Sequence, residues 1–219
     1  MARKKITMVL NSEERYWITS DTHYGHKNIC RGVTEWRTPD GSIPIDRTRD
    51  FKTIDHMNDT IVTNINKVVK PNDTLIHVGD WSFGGFENVR KFWDRINCEN
   101  IFLVMGNHDH HVKNNKDGCQ IYFLGVYDRL ELIINKELVI IDHYPLASWE
   151  RMGRGSIHLH GHSHLPNHKK FGNGRKMDIG IDGHPEFRPY DLFNECLKPL
   201  RRREILSDMD DDHHLNEYN

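Results

Sequence analysis

The pattern of apolar and polar residues along the chain predicts short strands throughout, with two helices between the early strands. Apolar runs bounded by turn residues predict strands at residues 5–10, 16–20, 74–78, 101–104, 121–124, 129–134, 137–141, 156–160 and 177–181. Apolar residues recur at helical spacing over residues 48–69 and 87–96. The first two strands are separated only by a short polar stretch, so we expect them to pair with each other.

The order of these elements predicts two sheets with helices outside them, because strands and helices alternate at first and strands dominate afterwards. The 219 residues suit one domain, which we expect to cover residues 1–200. Residues 27–47 contain several glycines and prolines and predict a long loop, of a kind that is often functional. Residues 201–219 carry a basic block followed by an acidic block, which predicts a mobile tail.

Composition and charge narrow the class of protein. The mean hydropathy of -0.72 argues against a membrane protein, and the N-terminal apolar run is too short for a signal peptide, so we expect a cytoplasmic location. The net charge of -2 weakens the case for tight nucleic-acid binding but is compatible with a small phosphate-bearing substrate. The four cysteines form no closely spaced pair, which predicts reduced, partly buried thiols. The oligomeric state stays open.

Five of the predicted strands end in carboxylate, amide or imidazole side chains. These side chains are Asp21 and His23, Asp80, Asn107 to Asp109, His143, and His162 and His164. A strand that stops abruptly places its last side chains on the rim of a sheet, where open α/β sheets bind ligands. The 16 histidines of the chain add to this signal, because imidazole is the commonest metal ligand. Each motif alone is compatible with an ordinary turn, but together they predict one polynuclear metal site.

The chemistry of these side chains favours two ions. Asp21 and His23 stand on alternate residues and can reach one ion together, while the two oxygens of Asp80 can bridge a pair. The seven nitrogen and oxygen ligands are Asp21, His23, Asp80, Asn107, His143, His162 and His164. This set suits manganese, iron, zinc, nickel or cobalt without choosing among them. Two ions about 3.5–4 Å apart would use all seven ligands.

The calcineurin-like metallophosphoesterase superfamily has motifs similar to an ordered set in this chain: Asp21-x-His23, Gly79-Asp80, Gly106-Asn107-His108-Asp109, His143 and Gly161-His162-Ser163-His164. The stretch 21–28 also resembles small single-domain members found in bacteria and phages. The resemblance implies an α/β fold, a four-layer sandwich of two mixed β-sheets packed face to face with helices on the outside. The apparent extra loop over residues 27–50 departs from the family pattern and leaves the choice of substrate open.

Carried over residue by residue, the resemblance implies two divalent metal ions, with manganese the first expectation and iron, zinc, nickel or cobalt the alternatives. The first ion would be held by Asp21, His23, Asp80 and His164, and the second by Asp80, Asn107, His143 and His162. His108 would be the catalytic histidine, with Asp109 as the group that orients it. Weaker candidates for substrate contacts are His26, Arg151 and Arg154, of which an arginine could bind phosphate with two hydrogen bonds.

The predicted reaction is hydrolysis of phosphodiester or phosphomonoester bonds in nucleotides or other small substrates, by in-line attack of a hydroxide between the two ions. A nuclease acting on single strands is the alternative within the enzymes. A third hypothesis is a binding scaffold whose catalytic site has decayed. The complete set of candidate ligands argues against it. His158, His160 and His162 superficially resemble a histidine triad, but Gly161 and Ser163 stand where that family has bulky apolar residues. We set that alternative aside.

Overall fold

The computed structural model describes residues 7–10 and 14–206, and within them ten strands form two five-stranded sheets. The strands are β1 (Thr7–Val9), β2 (Tyr16–Thr19), β3 (Thr74–His77), β4 (Asn100–Val104), β5 (Gly125–Tyr127), β6 (Leu130–Ile134), β7 (Glu137–Asp142), β8 (Ile157–His160), β9 (Lys176–Asp178) and β10 (Tyr190–Asp191). The first sheet has the order β10-β2-β3-β4-β5, and the second sheet has the order β1-β6-β7-β8-β9.

Both sheets are mixed, as predicted. In the first sheet β2, β3, β4 and β5 are parallel neighbours, and β10 runs antiparallel to β2. In the second sheet β6 and β7 are antiparallel, whereas β1 is parallel to β6 and the run β7, β8, β9 is parallel. Parallel neighbours deliver their carboxyl ends to the same edge, and this arrangement determines where the polar strand ends meet.

Four α-helices and several shorter helical turns connect the described strands. The α-helices are α1 (Ile54–Val68), α2 (Phe86–Trp93), α3 (His110–Lys113) and α4 (Lys198–Leu200), the last of which continues a π-helical segment at Leu192–Leu197. Short 3-10 turns lie at Lys27–Ile29, Ile45–Arg47, Lys116–Tyr122, Met152–Arg154, Asn167–Lys169 and Ile181–Gly183. Helix α1 begins where the Thr53 side chain accepts a hydrogen bond from the backbone N–H of His56, which satisfies one free amide of the first turn.

The hydrophobic residues form three layers of contact. Between the sheets, Ile18 and Ile76 pack in one fully buried cluster with Ile141 and Leu159. On the outer face of the first sheet, apolar residues of α1 and α2 pack on strand residues such as Leu75 and Ile101. The outer face of the second sheet is covered by the segment that carries Trp149 and Met152, which pack on Leu138 and Ile140. The predicted sandwich of two mixed sheets with helices outside is confirmed.

Two local predictions are wrong. The first two strands do not pair, because β1 joins the second sheet beside β6 while β3 and β10 occupy both edges of β2. Residues 121–124 are not a strand: the 3-10 turn Lys116–Tyr122 covers their first half, and β5 begins only at Gly125. Phe123 is buried among the residues that pack on α1 and α2, but Ile121 is 86% exposed and Leu124 is 59% exposed, so most of this apolar run is not held in a core.

The charged C-terminal segment begins in contact with the domain. Arg201 forms an ion pair with Glu137 at 2.7 Å, and Arg203 donates hydrogen bonds to the carbonyls of Gly172 and Gly174. The acidic block of the predicted tail lies outside the described residues, so its mobility stays a prediction.

All four cysteines, Cys30, Cys98, Cys119 and Cys196, are free and buried, in line with the expected reduced thiols. Burial raises the pKa of each thiol, which keeps the sulfur protonated and unreactive. Across residues 7–10 and 14–206, no helix combines the length and the apolar composition that crossing a lipid bilayer requires.

Candidate metal centre

The polar strand ends predicted from the sequence meet at one edge of the sandwich. Asp21, Asp80 and Asn107 follow the parallel strands β2, β3 and β4, so the first sheet presents them side by side. His143 and His162 follow the parallel strands β7 and β8 of the second sheet. The two edges are joined directly, because the backbone N–H of His162 donates to Oδ2 of Asp21 at 2.9 Å.

The backbone at this edge is unusual. Asp21, His23, Asp80, His162 and His164 all have positive φ angles, between 48° and 69°. This left-handed conformation is sparsely populated by residues other than glycine, and its cost of about 1–3 kcal/mol per residue persists only where the surroundings enforce it. Here hydrogen bonds between strand ends do so, among them Asp21 N–H to the Gly79 carbonyl and His23 N–H to the Asp80 carbonyl, both 2.9 Å. The strain is concentrated where the candidate ligands lie.

Gly79 allows the strand ends to approach this closely. Its φ is 88°, and a Cβ atom added there would lie 2.5 Å from Nδ1 of His143 and 2.6 Å from the backbone nitrogen of Gly106. Neither distance is compatible with a side chain. The glycine before Asp80 is therefore required by the convergence of three loops.

The first group of candidate ligands consists of Asp21, His23 and His164. Nε2 of His164 lies 3.6 Å from Oδ1 of Asp21, and the Nε2 atoms of His23 and His164 are 3.1 Å apart. His23 is 3% exposed and Asp21 is fully buried. Burial lowers the pKa of His23 well below its usual value, so the ring is neutral and offers a lone pair to a cation.

The second group consists of Asp80, His143 and His162, with Asn107 beside them. Oδ1 of Asn107 lies 3.0 Å from Nε2 of His143 and 2.9 Å from Nδ1 of His162. One amide oxygen thus faces two ring nitrogens. His143 and Asp80 are buried, whereas Asn107 and His162 are exposed and form the open side of the group.

Asp80 connects the two groups. Its Oδ2 lies 3.4 Å from Nε2 of His23 and 3.5 Å from Nε2 of His143. Its Oδ1 accepts a hydrogen bond of 2.8 Å from the backbone N–H of His108, which holds the carboxylate in this orientation. A single oxygen between two sets of imidazoles is the position from which a carboxylate bridges two cations.

The hydrogen bonds of the histidines prepare them as ligands. Nδ1 of His143 lies 2.8 Å from the Val78 carbonyl, and Nδ1 of His164 lies 2.7 Å from Oδ2 of Asp182. A carbonyl or carboxylate only accepts, so these two contacts are satisfied when each neutral ring carries its proton on Nδ1. The Nε2 lone pairs are then free to point at the site, which is the usual arrangement of metal-binding histidines.

The Oδ1 atom of Asp21 provides an independent test of whether the site suits a cation. Oδ1 of Asp21 is buried and has no hydrogen-bond partner within the described part of the chain. Burial raises the pKa of this carboxyl to about 6, which shows how poorly the protein alone stabilises its charge. A cation next to Oδ1 would supply the missing partner. The donor set therefore fits two divalent ions, one at each group, and contains no sulfur.

Arg49 and Asp182 support the first group, and neither was predicted from the sequence. The Arg49 guanidinium contacts Asp182 with two hydrogen bonds of 2.8 Å and also donates to the carbonyls of Asp21 and Thr22. Burial alone would raise the pKa of Asp182, but Arg49 and His164 lower it well below the usual range. Asp182 follows the apolar stretch after β9 and so repeats the pattern that revealed the ligands, whereas nothing in the sequence marks Arg49.

Replacing Asp182 by asparagine is expected to weaken metal binding at the first group. The amide keeps the size of the side chain but removes the charge that fixes the His164 proton on Nδ1, and loss of such a partner typically lowers metal affinity by about 10–100-fold. Titration of Mn²⁺ into metal-free protein by calorimetry measures this. Asp46→Asn is the matched control, because Asp46 is exposed at the cavity wall and should leave both affinities unchanged. Wild-type affinity in Asp182→Asn would contradict the role.

His108 lies at the site, but Asp109 does not orient it as predicted. The His108 ring is half-buried and lies edge-on to the His23 ring, with 5.3 Å between their centres. The Asp109 carboxylate instead accepts backbone hydrogen bonds from Asp80, Trp81 and Gly106, at 2.8, 3.0 and 2.8 Å. Because Asp109 lies in the turn after β4, its carboxylate points toward these backbone amides. Asp109 thus positions the loop that carries Asp80.

A cavity of about 660 Å³ opens from the metal groups and contains some of the expected substrate contacts. Of the three residues expected to contact substrate, His26 lines the cavity, whereas Arg151 and Arg154 do not. Both arginines are exposed, and Arg151 pairs with Glu150 at 3.7 Å. Their loop is held on the outer face of the second sheet by Trp149 and Met152, away from the ligand edge. The cationic side chains at the cavity are Arg47, Arg49 and Lys169.

Three other histidines are structural. His77, His158 and His160 are buried, and burial lowers the pKa of His77 and of His158 to about 3. His158 lies between Leu146 N–H and the Ile140 carbonyl, and His160 lies against the Gly161 carbonyl. His158 and His160, two members of the apparent histidine triad, therefore form hydrogen bonds with backbone groups.

Comparison with known proteins agrees with this architecture. A protein of unknown function from Aquifex aeolicus has a similar fold, with a TM-score of 0.55 over 80% of this chain and 94% of its own, at 23% identity. A structure described as an archaeal phosphodiesterase gives a TM-score of 0.42 over 78% of this chain and 87% of its own, at 20% identity, which is too low to bear on function.

Sequence comparison gives the family. An uncharacterised protein of Methanocaldococcus jannaschii is 29% identical over 176 residues, which are 78% of this chain and 82% of that protein. The sequence model described as calcineurin-like phosphoesterase matches residues 14–215 and so includes all the strand-end ligands. The chain belongs to the calcineurin-like phosphoesterase family.

Proposed function

We propose that the protein is a dimetal-dependent phosphoesterase that hydrolyses phosphodiester bonds in nucleotides or other small substrates. The observation that carries this proposal is the position of Asp80, whose Oδ2 lies within 3.5 Å of an imidazole from each ligand group. Family membership supports it, since calcineurin-like phosphoesterases typically bind divalent metals. Manganese is the first choice of ion for the tests, and the all-nitrogen-and-oxygen ligand set suits iron, zinc, nickel or cobalt as well.

The charge of the substrate explains why two cations are needed. A phosphodiester is anionic and repels an anionic nucleophile, and two bound cations would neutralise it and lower the pKa of a water molecule. The chain's own contribution is to hold the ligands in place through Asp109 and Asp182. His108 lines the cavity beside His23, where its ring can donate a proton to the leaving oxygen.

Two cavities next to the ligands favour a diester over a monoester. The cavity of about 660 Å³ extends from Asn107 toward Trp36, and a second cavity of about 390 Å³ extends from Asn107 toward Tyr144. A phosphodiester carries two organic substituents, one for each side of the phosphorus. A monoester would use only one of the two spaces.

The test combines metal analysis with a panel of substrates. We expect two ions per chain after loading with Mn²⁺, and hydrolysis of bis-nitrophenyl phosphate with higher kcat/KM than nitrophenyl phosphate. Faster cleavage of single-stranded DNA than of small diesters would instead favour the nuclease alternative. A chain that binds no metal tightly and cleaves no ester with any divalent ion would be a binding scaffold, and the proposal would be wrong.

A further inference from the structure

The large cavity has an apolar end, formed by side chains that belong to neither ligand group. Ile29, Trp36 and Ile45 line this end, and all three come from the long loop that the sequence marked as additional. Trp36 is 39% exposed and Ile45 is 70% exposed. Exposed side chains of this size beside a polar site often mark a surface that a ligand covers. We call these three residues the apolar wall.

The loop that carries the apolar wall is held in place by its own hydrogen bonds. Arg49 N–H donates to the Ile29 carbonyl at 2.6 Å, and Arg31 donates to the Thr48 hydroxyl at 3.2 Å and to the Ile45 carbonyl at 3.4 Å. Trp36 N–H donates to the Thr34 hydroxyl at 3.1 Å. Since Arg49 also holds Asp182, the wall and the first ligand group share one anchor. A preformed wall loses little entropy when a ligand binds.

Aromatic rings continue from the apolar wall to the reaction centre. The Trp36 ring lies edge-on to His26 with 5.8 Å between centres, and His26 stacks on Phe83 at 4.1 Å. Phe83 in turn lies 5.5 Å from His108. Trp36, His26 and His108 line the cavity, while Phe83, which is not part of the lining, contacts both His26 and His108. The row of rings therefore connects the apolar wall to the histidine at the ligands.

The size of the cavity and the cationic side chains of its lining are suited to a nucleotide. Arg47 and Lys169 line the cavity and are exposed, so they can contact an anionic or polar group. The volume of about 660 Å³ is in the range of pockets that bind a single small ligand. A flat heteroaromatic ring gains stacking energy on indole and needs little depth, whereas a long aliphatic chain would need an extended apolar channel.

We propose that the apolar wall binds a nucleobase of the substrate, with Trp36 as the stacking surface and Ile45 as the edge contact. The wall thereby makes a nucleotide the preferred substrate class. The inference rests on the proposed phosphodiesterase function and adds to it the part of the substrate that is recognised. Trp36 determines specificity and takes no part in bond cleavage.

The test compares two phosphate ligands that differ only in the base. AMP and ribose 5-phosphate are titrated by calorimetry into the Mn²⁺-loaded protein. We expect the wild type to bind AMP more tightly, and Trp36→Ala to lose about tenfold in AMP affinity, the scale of stacking on one aromatic ring. Its affinity for ribose 5-phosphate should not change. Trp36→Phe should recover most of the loss, because it restores an aromatic face.

Ile121→Ala is the control variant, because Ile121 is exposed and is not part of the cavity lining. An equal loss for both ligands, or no loss for AMP, would overturn the assignment of the wall. Hydrolysis of bis-nitrophenyl phosphate by the wild type is measured separately. If that hydrolysis is present while Trp36→Ala binds AMP normally, the apolar wall inference fails and the proposed function stands. If hydrolysis is absent while base-dependent binding persists, the function fails and the wall remains a nucleotide site.

Discussion

Asp80→Asn is expected to reduce bound metal from two ions to one or none and to lower kcat/KM by about 10³-fold or more, because both ions of the proposed centre would depend on this carboxylate. Oδ2 of Asp80 lies 3.4 Å from Nε2 of His23 in the first ligand group and 3.5 Å from Nε2 of His143 in the second, so it lies between the two groups. Asparagine has the same size, but it brings no charge and only one oxygen. It cannot balance two cations.

The fold should survive this substitution. Asp80 is 2% exposed, and its Oδ1 accepts the His108 N–H, a hydrogen bond that an asparagine oxygen can keep. Circular dichroism and the thermal midpoint without metal are therefore expected to match the wild type. Asp21→Asn is the matched comparison, because Asp21 belongs to the first group alone and its loss should remove one ion.

Elemental analysis after gel filtration counts the ions, and the rate is measured with bis-nitrophenyl phosphate at saturating Mn²⁺. If Asp80→Asn still holds two ions, or if Asp21→Asn loses more ions than Asp80→Asn, the shared carboxylate is not the centre of the site. The main structural premise of the proposed function would then be lost.

For a diester with an alkoxide leaving group, His108→Ala is expected to lower kcat by about 10²–10⁴-fold, the usual contribution of a general acid, while both ions remain bound. The His108 ring is not in either ligand group, yet it lines the cavity and lies beside the ring of His23. Its backbone N–H, which holds Asp80, is kept in the alanine variant. The substitution therefore removes the imidazole and leaves the ligands in place.

The leaving group distinguishes proton donation from a structural role. Nitrophenolate leaves without a proton, so the loss in kcat should be small for nitrophenyl esters and large for a diester with an alkoxide leaving group. His168→Ala, an exposed histidine in the turn Asn167–Lys169, serves as the control and should match the wild type. An equal loss of kcat on both kinds of ester would show that His108 does not act as the general acid. A near-normal rate on the alkyl ester would show that His108 has no role in catalysis.

The pattern of apolar and polar residues along the chain correctly predicted the features that depend on a single strand. Each apolar run that ended in Asp, Asn or His did place these side chains on a sheet edge, because the end of a buried strand must emerge at the rim. The residues of the interior strands β3, β4 and β8 are mostly buried, as their apolar sequences predicted. The sequence failed at residues 121–124, where Ile121 and Leu124 are exposed, and at the first two strands, which lie close in sequence but in different sheets.

By itself, then, the sequence determined the strands, their polar ends, the seven candidate ligands and the resemblance that names the family. Only the tertiary structure decided which groups support those ligands: Asp109 bonds backbone amides of two loops, and Arg49 meets Asp182 across 133 positions. It also decided that the loop with Trp36 lines the cavity while Arg151 and Arg154 lie elsewhere. The reason is physical. Periodicity reports how each segment is buried, whereas contacts between loops depend on strand order in both sheets and on how the sheets pack.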